Sequence, residues 1–325
     1  MNYRLLGNTG VTVSSLCYGT MSFGGDADEA TATALYGRCR DAGINFFDCA
    51  NTYGYGRAET VLGRCMAGHR EELVLTSKVG FRMREGINGE GLSRRHILGE
   101  LEQSLRRLGT DHLDLYFCHR LDPHTPAEET LAALDILVQQ GKILYPAVSN
   151  WAAWQIARAL GLSALHGWVR FAVLQPMYNL TKRQAEVELL PLAQAEQLGV
   201  IPYSPLGGGL LTGKYSGDRR AQSGRLVENS MYKSRYCEPT HHAVAARFND
   251  YARSRGYAPA TLAVAWVMSH PAVTAPIIGA RSLEQLEPSL AAAEISMTPE
   301  WRAEISALSV APGIATDRTE EQHSV

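Results

Sequence analysis

The 325-residue chain has no charge-free stretch of about 20 apolar residues, the length a helix needs to cross a bilayer. Its first residues, MNYRLLGNTGVTVSSL, hold no uninterrupted apolar core of signal-peptide length. Neither a membrane span nor an export signal is expected, and the cytoplasm is the expected compartment. An excess of charge of one sign is also missing: 31 Lys and Arg stand against 33 Asp and Glu, a formal net charge of −2. Such a balance gives no extended field for nucleic acid or an acidic membrane. Small molecules are the expected partners, and the scattered aromatics outline no interface that would choose between a monomer and a homo-oligomer.

Other absences narrow the chemistry. The six cysteines (Cys17, Cys39, Cys49, Cys65, Cys118 and Cys237) form no CxxC pair. In a reducing compartment they read as small hydrophobes, so neither a disulfide framework nor a structural zinc is expected. Residues 208–214 spell GxxxxGK, but Tyr215 stands where a P-loop needs Ser or Thr to hold magnesium. Gly54-Tyr55-Gly56 does not continue into a dinucleotide fingerprint, so no Rossmann domain is implied. The HxH pattern of a metal-dependent hydrolase barrel is absent from the first strand, and no metal is expected.

What the chain does contain is alternation. Short apolar runs at 16–20, 45–50, 73–79, 113–119, 143–149, 169–175, 200–205 and 273–279 are separated by longer helical patterns. Most recur at about the thirty-residue period of a βα unit, and their continuous hydrophobicity suits parallel strands covered on both faces. Ile97, Leu101, Leu105 and Leu108 line one helix face that ends at Gly109, a natural left-handed stop. Thr125, Pro126 and Glu128 read as a capping box, with Gly141 ending that helix, and Ser282 and Gln285 repeat the capping spacing.

Eight such units predict one (β/α)₈ barrel rather than a doubly wound sheet. Residues 3–6 and 11–14 predict an N-terminal β-hairpin over the bottom of the barrel. A long loop is expected at 80–92, and a polar, mobile loop insertion at 216–240, before the eighth strand. The barrel domain is taken as 1–312, with 313–325 as a disordered tail.

In a barrel of this kind the reactive groups gather at the C-terminal ends of the strands. Asp48 closes the second apolar run, Lys78 the third and His119 the fourth, while Tyr53 follows in the loop after Asp48. Each alone has a bland explanation, as a turn cap, a snorkelling amine, a core imidazole or loop packing. A carboxylate, an ammonium, an imidazole and a phenol at one end of three neighbouring strands instead make a coherent proton-donating site.

Through Phe47-Asp48-Cys49-Ala50-Asn51-Thr52-Tyr53-Gly54, Thr76-Ser77-Lys78, Asp114-Leu115-Tyr116 with His119, Val148-Ser149-Asn150, and Pro276-Ile277-Ile278-Gly279-Ala280-Arg281, the chain resembles the aldo-keto reductases over almost its whole length. The resemblance implies NADPH-dependent reduction of aldehydes or ketones, with Asp48, Tyr53, Lys78 and His119 as the catalytic four, and Arg120 near the expected pocket points to sugars or other polar carbonyls among the substrates. A free phenol has a pKa of about 10. A neighbouring ammonium at Lys78, steadied by Asp48, is expected to lower the Tyr53 value, with His119 orienting the carbonyl.

The same resemblance gives the cofactor contacts. Ser149, Asn150 and Gln175 would hold the nicotinamide carboxamide and Tyr203 would stack on its ring, with Gly19, Thr20, Met21 and Asp48 beside it. The glycine-rich run Ser204, Pro205, Leu206, Gly207, Gly209 and Leu211 would let backbone amides approach a pyrophosphate, with Lys214 and Arg225 as further cationic contacts. Gly279, Arg281 and Gln285, at a capped helix start, favour the 2′-phosphate of NADPH over NADH. Pro288 and Ser289 depart from the Glu and Asn that relatives often carry toward the adenine. Met21, Phe81, Arg120 and Trp151 are the expected substrate pocket. Some similar barrels serve instead as slow, NADPH-binding regulatory subunits of potassium channels, which is the alternative reading.

Overall fold

An apolar run without alternation is stable as a strand only where both its faces are covered, and each of the eight runs supplies such a strand. The computed structural model describes residues 1–215, 223–316 and 318. A hairpin of β1 (Tyr3–Leu5) and β2 (Thr12–Ser14), paired antiparallel, comes first. The parallel strands follow as β3 (Cys17–Gly19), β4 (Phe46–Asp48), β5 (Val74–Val79), β6 (Leu113–Cys118), β7 (Ile143–Ser149), β8 (Val173–Gln175), β9 (Gly199–Val200) and β10 (Ile277–Ile278). Neighbours in sequence are neighbours in the sheet, and β10 returns beside β3. The ring closes between β9 and β10, where Ile277 N donates to Pro202 O at 2.9 Å and Thr274 N to Val200 O at 2.8 Å. This is a (β/α)₈ barrel preceded by the expected hairpin.

Side chains alternate across a strand, and two cores result. Tyr18, Phe47, Leu75, Tyr116, Val148 and Leu174 point outward into the layer shared with the helices. Cys17, Phe46, Val74, Leu115, Phe117, Ala147, Val173, Ile201 and Ala275 point inward, where Leu6 and Val13 of the hairpin region join them. Continued upward, the inward parity reaches Gly19, Asp48, Thr76, Lys78, His119, Ser149, Gln175 and Tyr203. The lower interior is therefore apolar and the upper interior polar.

The helices are α1 (Glu29–Asp41), α2 (Arg57–Cys65), α3 (Arg94–Leu108), α4 (Ala127–Gln139), α5 (Ala153–His166), α6 (Leu189–Ala195), α7 (Arg225–Glu228), α8 (Ser230–Arg235), α9 (Pro239–Ser254), α10 (Pro259–Met268), α11 (Leu283–Leu290) and α12 (Pro299–Ser306). Helix α3 buries Ile97, Leu101, Leu105 and Leu108 and stops at left-handed Gly109, as its pattern predicts. Ser282 caps α11 by accepting from Gln285 N.

Three local expectations are corrected. Thr125 does not cap α4: its hydroxyl donates to Asp122 Oδ2 at 2.6 Å, because Asp122 organises this loop and also accepts from Leu92 N and His124 N. The apolar runs at 200–205 and 273–279 place only Val200 and the Ile277–Ile278 pair in strands, the remainder forming the upper rim or the closing seam. The insertion at 216–240 is not simply loop, since it carries α7 and α8, with Asn229 capping the latter. They pack on the glycine-rich turn, where a Cβ at Gly208 would stand 2.8 Å from Tyr232 Cδ1. Residues 216–222 of that insertion lie outside the described residues, as do 317 and 319–325 of the expected tail.

Among the hairpin's several contacts with the barrel, the approach at Gly7 is especially tight. Gly7 has φ 57°, and a Cβ there would lie 2.3 Å from Gly199 N, while Asn8 N donates to Gln197 O at 2.9 Å. Gly7→Ala is expected to lower the unfolding free energy by about 2–4 kcal/mol, from overpacking plus a left-handed alanine. Chemical denaturation would read this as a lower midpoint at unchanged slope, and an unchanged midpoint would show that the approach is not tight.

Candidate active site

Asp48 ends β4 and is 2 % exposed. Its Oδ2 accepts from Lys78 Nζ at 2.6 Å, and its Oδ1 accepts from Thr76 Oγ1 and Gln175 Nε2, each at 2.9 Å. Lys78, fully buried on β5, donates further to Cys49 O at 2.8 Å and to Tyr53 Oη at 3.2 Å. An ammonium has three donors, and all three are engaged, which is what a charge so far from water requires.

Tyr53 opens the turn Tyr53–Gly56, in which Gly54, Tyr55 and Gly56 have φ of 58°, 54° and 91°. Two glycines accept this geometry readily, and Tyr55 between them is strained, as residues beside functional sites often are. Because Lys78 can only donate, the Tyr53 hydroxyl must aim its own proton elsewhere. Among the described residues, no protein group accepts it.

The electrostatics depart from expectation at one point. Burial alone would lower Lys78, but Asp48 and Tyr53 together outweigh it and raise the ammonium above its ordinary value. Tyr53 is not acidified. Burial is the largest influence and pushes the phenol up to about 12, with Lys78 pulling it down and Asp48 pushing it up. The attraction expected from Lys78 is present, and desolvation exceeds it.

His119 follows β6 between two rings, edge-to-face on Phe81 at 4.7 Å and on Tyr53 at 6.0 Å. Burial first, then Lys78 and Arg120, hold its pKa well below the usual histidine value, so the imidazole is neutral. Its Nδ1 is buried without a partner among the described residues. Beneath the site, Ser77 faces outward and donates to Glu59 Oε1 at 2.5 Å, and Glu59 Oε2 accepts from Arg107 Nε at 2.6 Å. These bonds tie β5 to α2 and α3.

The polar residues expected around a cofactor form a chain that reaches the same carboxylate. Tyr203 Oη donates to Asn150 Oδ1 at 2.7 Å, and Asn150 Nδ2 donates to His119 O and Ser149 Oγ at 2.9 and 3.0 Å. Ser149 Oγ donates to Gln175 O at 2.9 Å, and Gln175 Nε2 reaches Asp48. Thr20 N and Oγ1 both donate to Asp48 O, at 2.9 and 3.0 Å. Gly19 fits against Ile277, whose Cγ2 a Cβ would meet at 2.7 Å, and Met21 is exposed at the rim.

Above β9, Ser204 and then Gly207, Gly208 and Gly209 take positive φ, with Pro205 and Leu206 between them and Leu211 buried behind. Lys214 lies against Gly209, and Arg225 Nη1 donates to Tyr232 Oη at 3.1 Å. Beyond Gly279, Arg281 pairs with Asp26 at 2.9 Å and Glu228 at 3.3 Å, and its backbone N donates to Gln285 Oε1. The Pro288 carbonyl accepts from Thr261 Oγ1, and Ser289 is buried.

Of the expected pocket residues, Phe81 covers His119, and the Arg120 guanidinium stacks on Phe81 at 4.8 Å. Arg120 also donates to Gly80 O and pairs with Glu90, which in turn pairs with Arg82. Trp151 is buried in the core shared with the helices and packs on Phe171, its indole N–H without a partner among the described residues. Four site-supporting residues escape the strand-end argument: Thr76, Glu59, Asp26 and Glu228. Thr76 shares inward parity with Lys78 two residues on, a signal that alternation carries.

Known proteins resemble this chain along most of its length. The sequence profile of the Aldo/keto reductase family matches residues 15–310. The chain is 38% identical over 328 residues to an uncharacterized oxidoreductase of Bacillus subtilis (strain 168), covering 96% of this chain and 97% of that one. It is 38% identical over 318 residues to a probable voltage-gated potassium channel subunit beta of Oryza sativa subsp. japonica, covering 95% and 96%. With the L-glyceraldehyde 3-phosphate reductase of Escherichia coli (strain K12) it shares 35% identity over 306 residues, 90% of this chain and 87% of that one.

The Tyr53 environment fixes an alkaline signature. An unfolded phenol titrates near 10 and the folded one at about 12. Its contribution to stability is therefore intact below pH 10 and is lost as pH rises through 12. In the ultraviolet difference between wild type and Tyr53→Phe, the phenolate band of this residue should be absent at pH 10 and grow toward 12. A band already present at pH 9 would mean that Lys78 outweighs burial.

Proposed function

The chain belongs to the Aldo/keto reductase family, and we propose that it reduces the carbonyl group of aldehydes or ketones to alcohols, reversibly, with NADPH as reductant and Tyr53 as proton donor. The observation that carries this reading is the use of all three Lys78 donors, one of them on Tyr53 Oη. It leaves a phenolic proton with no protein acceptor among the described residues, at the polar end of the barrel.

The residues present fit NADPH. Gln175 commits its amide nitrogen to Asp48, while its Oε1 has no donor among the described residues, so it can accept from a carboxamide. Three successive left-handed glycines with Lys214 and Arg225 nearby suit a pyrophosphate. Arg281 already binds two carboxylates, and a guanidinium that holds anions in this way also suits a 2′-phosphate. Bound there, NADPH would supply a hydride to the carbonyl carbon.

The protein's own part is to orient the substrate and move one proton. Neutral His119 has one N–H to offer the carbonyl oxygen, which fixes the carbonyl's direction. A phenol at about 12 is too weak an acid to protonate a resting carbonyl. It is nonetheless far stronger than an alcohol, which resembles water at ~16, so it gives its proton to oxygen as alkoxide character develops. Lys78 then faces the phenolate left behind and stabilises it until solvent returns a proton. Phe81 supplies an apolar wall, and Arg120, partly neutralised by Glu90, supplies a polar edge for sugars or other polar carbonyls.

A regulatory, slowly turning-over role is the second reading, favoured by the relatives named as potassium channel subunits. Turnover separates the two. NADPH oxidation is expected with a panel of aldehydes, ketones and aldoses, faster than with NADH, and Tyr53→Phe should lower kcat by about 10²–10⁴-fold at unchanged NADPH affinity. Wild-type-like turnover in that variant would remove Tyr53 from the role. Between pH 6 and 8 the reductive kcat should show no inflection, since His119 stays neutral and Tyr53 protonated across that range. A histidine-like inflection abolished by His119→Gln would contradict this.

A further inference from the structure

Asp48 divides its two oxygens unequally: Oδ2 receives the Lys78 ammonium, and Oδ1 receives two neutral donors. Thr76 lies on the neighbouring strand, and Gln175 reaches over from β8, so the two bracket Oδ1 from different sides. All four residues are buried. A carboxylate torsion is intrinsically broad, and nothing in Lys78 itself selects one oxygen. Without donors on Oδ1, the carboxylate could turn both oxygens to the ammonium, or leave one as an unsatisfied buried acceptor.

We propose that Thr76 and Gln175 are positioning residues for proton transfer: by holding Oδ1 they confine the ion pair to Oδ2 and keep the third Lys78 donor on Tyr53. Neither residue need touch the reacting atoms for this. Both also draw electron density from Asp48, which moderates its opposition to a phenolate at Tyr53. The inference rests on the reading of Tyr53 as proton donor.

Thr76→Val removes the hydroxyl at nearly constant volume. Cys49 N, which bonds both the carbonyl and the hydroxyl oxygen of Thr76, keeps the former. The expected result is a kcat lower by about tenfold, the scale of one hydrogen bond to a charged group, with aldehyde KM and fluorescence-titrated NADPH Kd unchanged. Thr76→Ser, which restores the donor, should return kcat to within about twofold of wild type. A Thr76→Val enzyme with wild-type kcat, or a Thr76→Ser enzyme impaired as far as Thr76→Val, overturns the proposal. Should Thr76→Val fail to fold, Gln175→Met removes the other donor and is expected to lower kcat similarly, with NADPH Kd measured separately; wild-type kcat there overturns it. Tyr53→Phe is run alongside: turnover retained in it defeats the proton-donor reading, whereas its loss beside an unimpaired Thr76→Val defeats only the positioning role.

Discussion

A single ammonium placed where water cannot reach dictates the arrangement around it. Lys78 is wholly buried on β5, and such a charge survives only with a counterion and with every N–H satisfied. Asp48 is the counterion, the Cys49 carbonyl the second acceptor and Tyr53 the third. The turn between β4 and Tyr53, closed by Tyr53 N donating to Ala50 O at 3.1 Å, brings the phenol back over the amine. The bonds from Ser77 through Glu59 to Arg107 then brace the strand that carries it.

The barrel makes this arrangement affordable by dividing its interior along the axis. Below, Phe46, Val74, Leu115 and Phe117 fill the ring with the hairpin's Leu6, supplying burial that asks nothing of hydrogen bonding. Above, the same inward parity delivers polar groups from one strand after another. Their mutual bonds run from Tyr203 through Asn150, Ser149 and Gln175 to Asp48, so residues distant in sequence share one network.

Much of this is legible in the sequence because strand-end position is a local property. Asp48, Lys78 and His119 each close an apolar run, and parallel neighbours must bring such ends together. What local pattern cannot supply is environment. Burial reverses the sign expected for Tyr53, since a sequence lists neighbouring charges and not the water withdrawn from them. Asp26 and Glu228 meet Arg281 from distant segments, and Asp122 takes Thr125 from its cap. No spacing rule encodes those meetings. Thr76 is the opposite case, readable from period-two alternation with Lys78 but overshadowed by its charged neighbour.

Strand length is uneven around the ring. β5, β6 and β7 run for six, six and seven residues, whereas β9 and β10 have two each. Amide protons on the long arc are accordingly expected to exchange more slowly than those along the short arc. Lys78 and His119 stand on or directly after the rigid arc, while the glycine-rich turn and Arg281 rise from the yielding one. On the proposed reading, a bulky guest such as NADPH would sit over the short strands, while the buried ion pair is anchored on the longer strand β5 opposite.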